Sequence, residues 1–260
     1  MFDRKPVVAM VHFPPLPGTP DYDAAAGVAG IYDAVARDLE YLLVDGIDAV
    51  MFCNEGDRPY QLRAGSEIVA AMAFVIGRVT PLDRPFGVNV LWDPRATLGL
   101  AAGTGAAFMR EVVTGAYESD MGLWQPGAGQ LGRDRRYLDA RDVELWFNIT
   151  PEYAARLSAR PLGMVARSVV QSSMPEVILV SGPMAGVQPD VSAVAEAKEA
   201  VGARQRVYVN TGVKAATVAG FLGVADGVIV GSDLKVDGNT WNAVDPDRVA
   251  RFVDAAAAAR

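Results

Sequence analysis

One cysteine and one histidine are all that 260 residues contain of the two side chains that build structural zinc sites. With Cys53 alone the chain has no internal disulfide, and with His12 alone it has no Cys/His cluster able to hold zinc. Positive charge is also in short supply. Lys and Arg number 24 against 31 Asp and Glu, a formal net charge of −7 with a pI near 4.8. That balance leaves no basic footprint for nucleic acid or for an anionic membrane surface. No apolar run approaches the roughly 20 residues of a membrane span, and the apolar stretch behind Met1-Phe-Asp-Arg-Lys-Pro6 is too short for a signal peptide. These absences predict a cytoplasmic protein whose partner is a small molecule, with no nucleic acid and no membrane.

What the chain has is apolar residues, at 51%, enough for the core of one large domain. Short apolar runs alternate with stretches of helical spacing from end to end. Val7–Val11, Asp48–Cys53, Pro85–Leu91, Ala106–Val113, Val143–Ile149, Val177–Val180, Arg206–Val209 and Asp226–Val230 read as buried strands. Helical spacing falls at Ile31–Val44, Ser66–Val79, Arg95–Thr104, Val191–Val201 and Ala215–Leu222. Pro151–Leu157 and Leu162–Ser172 are assigned to the helical region behind the fifth strand, and Asp245–Ala258 closes the chain with Pro246 in its first turn. Eight such units without a composition break predict a single α/β domain over 1–260, a (β/α)8 TIM barrel of the phosphate-binding type. An open doubly wound sheet is the rival. Segment 114–142 is polar, carries five glycines between Gly115 and Gly132, and is long for a connection. It predicts a lid between the fourth and fifth strands with one short helix around Arg133–Leu138.

Two strand ends near the C-terminus share a pattern. Val207-Tyr-Val-Asn-Thr-Gly212 and Gly227-Val-Ile-Val-Gly-Ser232 both run from a strand into a small polar turn. Glycine lacks a Cβ, so such turns can present bare backbone N–H groups to an anion. In barrels of this type the loops after strands 7 and 8 build the phosphate site. Asn210, Thr211, Gly212, Gly231, Ser232 and Lys235 are therefore the candidate phosphate ligands; the plainer reading is that the glycines only shape tight turns.

The other strand ends carry His12, Asn54, Glu55, Asp57, Asn89, Asp93, Arg110, Glu111, Asn148, Ser181 and Gly182, with Glu152 just beyond the fifth strand. His12, Glu55, Asp57, Asp93, Arg110, Glu111, Asn148 and Glu152 are the catalytic candidates. Asn54, Asn89, Ser181 and Gly182 are candidates for further substrate contacts. Each also has a structural reading. His12 can be tucked under the proline-rich loop Phe13–Pro20, Asn54 and Asp57 can be turn formers, and Asp93 before Pro94 can cap a helix. Arg110 and Glu111 are adjacent, so a barrel strand must turn one of them inward, where a charge requires a partner or a ligand. Gly127-Ala-Gly-Gln-Leu-Gly132 matches a dinucleotide fingerprint but follows Gln125-Pro126 instead of a strand, and is discounted. Cys53 reads as a small buried hydrophobe.

With these motifs in place the chain resembles the BtpA family, SgcQ-type proteins included. The resemblance is carried by Met10–Gly18, Asn54-Glu-Gly-Asp-Arg-Pro59, Asn89-Val-Leu-Trp-Asp93, Phe108-Met-Arg110, Ser119-Asp-Met-Gly122, Ser181–Gly186 and Asp226–Gly238, in order along nearly the whole chain. It implies the phosphate-binding barrel independently of the strand count. One departure stands out. Where the family pattern has Asp and then Lys-His behind the fifth strand, this chain has Asn148, Glu152 and Tyr153. The resemblance implies an enzyme acting on a phosphorylated sugar or nucleotide, by isomerase, lyase or glycosidic-bond chemistry. The alternative it implies is a non-catalytic accessory protein, of the kind serving photosystem I biogenesis, that keeps the ligand site. No organic cofactor is expected, Mg²⁺ is compatible with the many strand-end carboxylates, and a homo-oligomer is left open.

Overall fold

The computed structural model describes all of residues 1–260. Strand β1 (Val7–His12) shows the rule that the barrel strands follow. Val7, Ala9 and Val11 pack outward among the helices, while Val8 and Met10 pack inward. This is the two-residue period of a pleated strand, and it puts His12 on the inward set.

The same alternation runs through β2 (Ala49–Cys53), β3 (Phe86–Asn89), β4 (Phe108–Glu111) and β7 (Glu144–Asn148). It continues in β9 (Val177–Val180), β10 (Arg206–Val209) and β11 (Gly227–Val230). Parallel pairing closes these eight in the order β1-β11-β10-β9-β7-β4-β3-β2. The seam is made by Val7 beside Val228 and Ala9 beside Val230. An open sheet is thereby excluded.

Helices α1 (Gly27–Leu42), α2 (Ser66–Val79), α3 (Pro94–Thr104) and α4 (Ala128–Tyr137) surround the first half of the barrel. Helices α5 (Leu162–Ser173), α6 (Val191–Val201), α7 (Val218–Val224) and α8 (Pro246–Ala257) surround the second. Local chemistry sets several of these ends. Asp93 caps α3 and Asp245 caps α8, each accepting from two backbone N–H groups, with proline in the first turn of both helices. Gly105 ends α3 at φ +75°, in the left-handed region that glycine enters without steric cost. No helix is long and apolar enough to cross a membrane.

The barrel interior is packed, not hollow. Phe108 stacks on Trp146 with centroids 3.8 Å apart and planes 9° apart, and Trp146 meets Tyr208 edge-on at 5.2 Å. Gly87 makes the stack possible, since a Cβ there would lie 2.1 Å from the Phe108 ring. Above this apolar layer, the next inward position of every strand is small or polar. His12, Cys53, Asn89, Arg110, Asn148, Ser181, Asn210 and Gly231 form the layer at the strand C-termini. In barrels that end carries the chemistry.

Two expectations are corrected. Segment 114–142 is not an irregular polar connection carrying one short helix. It contains β5 (Tyr117–Ser119), β6 (Gly122–Trp124) and the barrel helix α4, and it buries Tyr117, Trp124 and Leu131. Pro151–Leu157 is not helical. It supplies β8 (Ala154–Arg156), which pairs antiparallel with β5 in a three-stranded sheet of order β6-β5-β8. Aromatic residues scattered among polar ones hid these short strands, since three residues cannot display a period.

Candidate active site

The polar layer opens into a pocket of about 480 Å³ of empty space, the solvent at its mouth included. His12, Glu55, Arg110 and Glu152 line it from one group of strands, and Asn210, Thr211, Gly212, Gly231 and Ser232 from the seventh and eighth barrel strands.

Arg110 is its central charge. The parity of β4 turns Arg110 inward and Glu111 outward toward α3, as Phe108 and Met109 do one step earlier. Arg110 is 9% exposed, yet its partners are all neutral. Nε and Nη2 donate to Asn89 Oδ1 at 3.1 and 2.5 Å, Nη1 donates to Asn210 Oδ1 at 3.1 Å, and Nη2 reaches Cys53 Sγ at 3.6 Å. A guanidinium so placed has no carboxylate in direct contact, only the Glu55 and Glu111 carboxyls near enough to feel its charge, and an anionic ligand suits it.

His12 is held in one orientation. Its Nδ1 lies 3.2 Å from the Thr240 carbonyl oxygen, which can only accept, so Nδ1 carries the proton and Nε2 is left as the basic nitrogen. Burial, then the charges of Lys235 and Arg110, hold its pKa well below the usual imidazole value despite the Thr240 bond. His12 is therefore neutral near pH 7. Glu55 shifts the other way: burial raises its carboxyl, opposed by the Arg110 charge. Tyr60 Oη donates to Glu55 Oε1 at 2.9 Å. Glu152 is gripped by three neutral donors, the Thr211 hydroxyl, Asn210 Nδ2 at 3.4 Å and Asn148 Nδ2 at 3.3 Å.

The glycine turns form the opposite side. The N–H groups of Gly212, Gly231 and Ser232 enter no backbone–backbone hydrogen bond. Gly212 sits at φ +73°, and a Cβ there would lie 2.2 Å from the Gln188 nitrogen, so only glycine fits. At Gly231 a Cβ would come 3.0 Å from His12 Cε1, which places this turn against the imidazole edge. Ser232 Oγ pairs with Thr240 Oγ1 at 2.6 Å, tying the turn to the residue that orients His12.

Several candidates lie elsewhere. Asp57 fastens the proline-rich loop, accepting from Leu16 N, Thr19 Oγ1 and Asn54 Nδ2 at 2.8, 2.9 and 3.0 Å. Asn54 Oδ1 accepts from Leu91 N at 2.7 Å. Asp93 is the α3 cap and also accepts from Ala64 N at 3.1 Å. Lys235, 1% exposed, donates to Asp38 Oδ2 at 2.6 Å beneath α1, so it braces the loop behind the turn and does not line the pocket. Glu111, with Asn89 and Thr97 as donors at 2.6 and 2.8 Å, is pushed up to about 8 by burial. It borders a small adjoining cavity with Asn89 and Asn148. Ser181 accepts from Asn210 Nδ2 at 2.7 Å, and at Gly182 a Cβ would lie 1.8 Å from the Val187 oxygen, so the two stretches of backbone pass only with glycine there. No three His, Cys, Asp or Glu side chains gather closely enough to form a metal cluster.

Sequence reasoning missed Trp92, Gly186 and Thr240 as pocket residues. Thr240 lies eight residues past Ser232 in a loop with no motif, so nothing local marked it. Trp92 had a signal, a large ring directly behind a strand, and it adopts φ +70°, rare for a bulky residue.

Comparisons with known proteins agree with this architecture. The SgcQ protein of the sgc region in Escherichia coli (strain K12) is 41% identical over 252 residues, covering 96% of this chain and 94% of that protein. The photosystem I biogenesis protein BtpA of Synechocystis sp. (strain ATCC 27184 / PCC 6803 / Kazusa) is 29% identical, covering 98% of this chain and 88% of that protein. Among solved structures, N-(5'-phosphoribosyl)anthranilate isomerase from Pyrococcus furiosus superposes with a TM-score of 0.57 at 14% identity, covering 98% of this chain and 100% of that one. Thiamine phosphate pyrophosphorylase from the same organism gives 0.56 at 11% identity, covering 98% and 96%. At such identities the likeness is one of fold. The BtpA family model matches residues 3–258, and the chain belongs to the BtpA family.

Proposed function

We propose that the protein is an enzyme acting on a small phosphorylated sugar or nucleotide at the C-terminal mouth of the barrel. One observation carries the reading. Gly212, Gly231 and Ser232, whose amides enter no backbone–backbone hydrogen bond, line a pocket that also holds a buried guanidinium without a carboxylate in direct contact. The turns suit a phosphate, because convergent N–H groups bind an anion where no side chain obstructs it. Arg110 suits a second negative charge, either on the substrate or developing during reaction.

Between the two lie groups whose protonation is pushed in opposite directions. His12 is kept neutral with Nε2 free to take a proton, and the raised carboxyl of Glu55 suits a proton donor. Glu152, fixed by Asn148, Asn210 and Thr211, is positioned to orient a substrate hydroxyl or to serve as a further base. Isomerisation, elimination and glycosidic cleavage each require one proton donor and one acceptor, and these residues supply that pair. A second reading, a non-catalytic accessory role, draws on Asn148, Glu152 and Tyr153 standing where the family pattern has Asp, Lys and His.

Calorimetric titration with ribose 5-phosphate tests the reading. Gly231→Val puts a branched side chain where a Cβ already meets His12 Cε1 at 3.0 Å. Affinity is expected to fall at least tenfold, about 1.4 kcal/mol. Equal affinity in a folded variant overturns the phosphate assignment. Binding without turnover of any sugar phosphate or nucleotide tried favours the accessory role.

A further inference from the structure

The pocket is polarised. The glycine turns behind β10 and β11 line it on one side, Leu91 and Trp92 from behind β3 line it across the barrel, and Tyr153 lies between them behind β7. Tyr153 is shared with a second cleft, bordered by Arg58, Tyr60, Asp120, Met121 and Trp241 and holding about 720 Å³ of empty space up to its mouth. The cavities therefore adjoin, and the outer one is the larger.

The outer cleft is walled by rings. Tyr60 and Tyr153 have centroids 5.7 Å apart, Tyr60 meets Trp92 edge-on at 6.2 Å, and Trp92 meets Trp124 at 5.3 Å. Across the cleft the Arg58 guanidinium lies 4.0 Å over Trp241, which is 44% exposed. Three of these rings use polar atoms in building the wall, while Trp92 Nε1 is buried without a partner. Tyr60 Oη donates to Glu55 Oε1, Trp241 Nε1 donates to the Glu55 carbonyl at 3.2 Å, and Tyr153 Oη accepts from Ala185 N at 3.3 Å. Ring faces and the Tyr153 O–H, which donates to no side chain or backbone group, are what remain. Tyr153 and Trp92 both hold positive φ, +55° and +70°, a conformation that bulky residues keep only where the surroundings impose it.

We infer that the substrate carries a planar aromatic ring at the end remote from its phosphate, and that the cleft between Tyr60, Tyr153 and Trp241 holds that ring. The inference rests on the phosphate reading of the inner pocket for the orientation of the ligand. Flat rings stack on aromatic side chains and on guanidinium planes whatever their edge pattern. A second sugar ring fits less well. Its several hydroxyls would each need a partner, whereas Asp120 and Arg58 are the only charged side chains lining the cleft. Those two groups suit the edge of a heterocycle, one accepting and one donating.

Calorimetric titration of the 260-residue chain with ribose 5-phosphate, AMP, UMP and adenosine tests this. AMP or UMP is expected to bind at least about tenfold tighter than ribose 5-phosphate. Trp241→Ala is expected to erase that difference while leaving ribose 5-phosphate binding within about twofold. Arg58→Ala, at an exposed position, is expected to weaken AMP alone. Equal affinity for nucleotide and ribose 5-phosphate in wild type overturns the inference while the phosphate reading stands. So does an equal loss for both ligands in Trp241→Ala, unless Arg58→Ala weakens AMP selectively. If adenosine binds through Trp241 and ribose 5-phosphate does not bind, the phosphate reading fails and the ring cleft stands. Binding of none of the four overturns both.

Discussion

Arg110→Met separates a functional charge from a structural one. The guanidinium is held by Asn89, Asn210 and Cys53, all neutral, so burial of its charge is compensated only in part. Removing it relieves a desolvation penalty of several kcal/mol. Against this, Asn210 Oδ1 loses a donor, which costs about 1–3 kcal/mol, while Asn89 Oδ1 keeps the Cys53 thiol at 3.4 Å. Methionine restores most of the apolar volume. The opposing effects nearly cancel, so stability is expected to change by no more than about 1 kcal/mol, roughly 2–4 °C in Tm for a chain of this size. Anion binding behaves differently, because loss of a charge-assisted hydrogen bond removes about 1.5–3 kcal/mol, roughly 10- to 100-fold in affinity. Thermal unfolding paired with titration of ribose 5-phosphate measures both. A fall in stability beyond about 3 kcal/mol with unchanged affinity would show that Arg110 is a structural cation, and the reasoning would fail.

Three further outcomes are expected. Asp38→Asn leaves the Lys235 ammonium without a counter-charge at 1% exposure, and urea unfolding should register a loss of about 3–5 kcal/mol. Glu111 is raised from 4.5 to about 8, so the folded state binds the extra proton between those values. Its contribution is fully present below pH 4.5 and is lost as pH rises through about 8, and Glu111→Gln should flatten the Tm–pH curve over that window. Asp93→Ala should cost about 1 kcal/mol through the α3 cap. Its ligand affinity should stay at the wild-type value, since Asp93 does not line the pocket.

The fold was legible because β1, β2, β9, β10 and β11 are short runs buried on both faces, and each is punctuated by glycine, asparagine or proline. Their alternation with helical spacing is a long-range pattern that no single residue can spoil. The glycine turns after the last two barrel strands were legible for the same reason, since their position in the order gives them meaning. What a residue does once it arrives at the mouth was not. Asp57, Asp93 and Lys235 have the same chemistry as Glu55 and Arg110, and only the direction of each side chain separates a loop fastener from a pocket wall. Arg110 and Glu111 show the limit well. Sequence established that one of the pair must face inward, and the phase of β4, set by Phe108 packing on Trp146, decided which. The Tyr60–Trp92–Trp124 wall was invisible because its members come from two separate loops and the short strand β6.

The most direct test of the phosphate site is a ¹H–¹⁵N spectrum recorded through a titration with ribose 5-phosphate. The largest amide shifts are expected at Gly212, Gly231 and Ser232, whose N–H groups enter no backbone–backbone hydrogen bond. Shifts centred instead on the surface hollow between Lys214, Arg248 and Arg251, with those amides unmoved, would contradict the account.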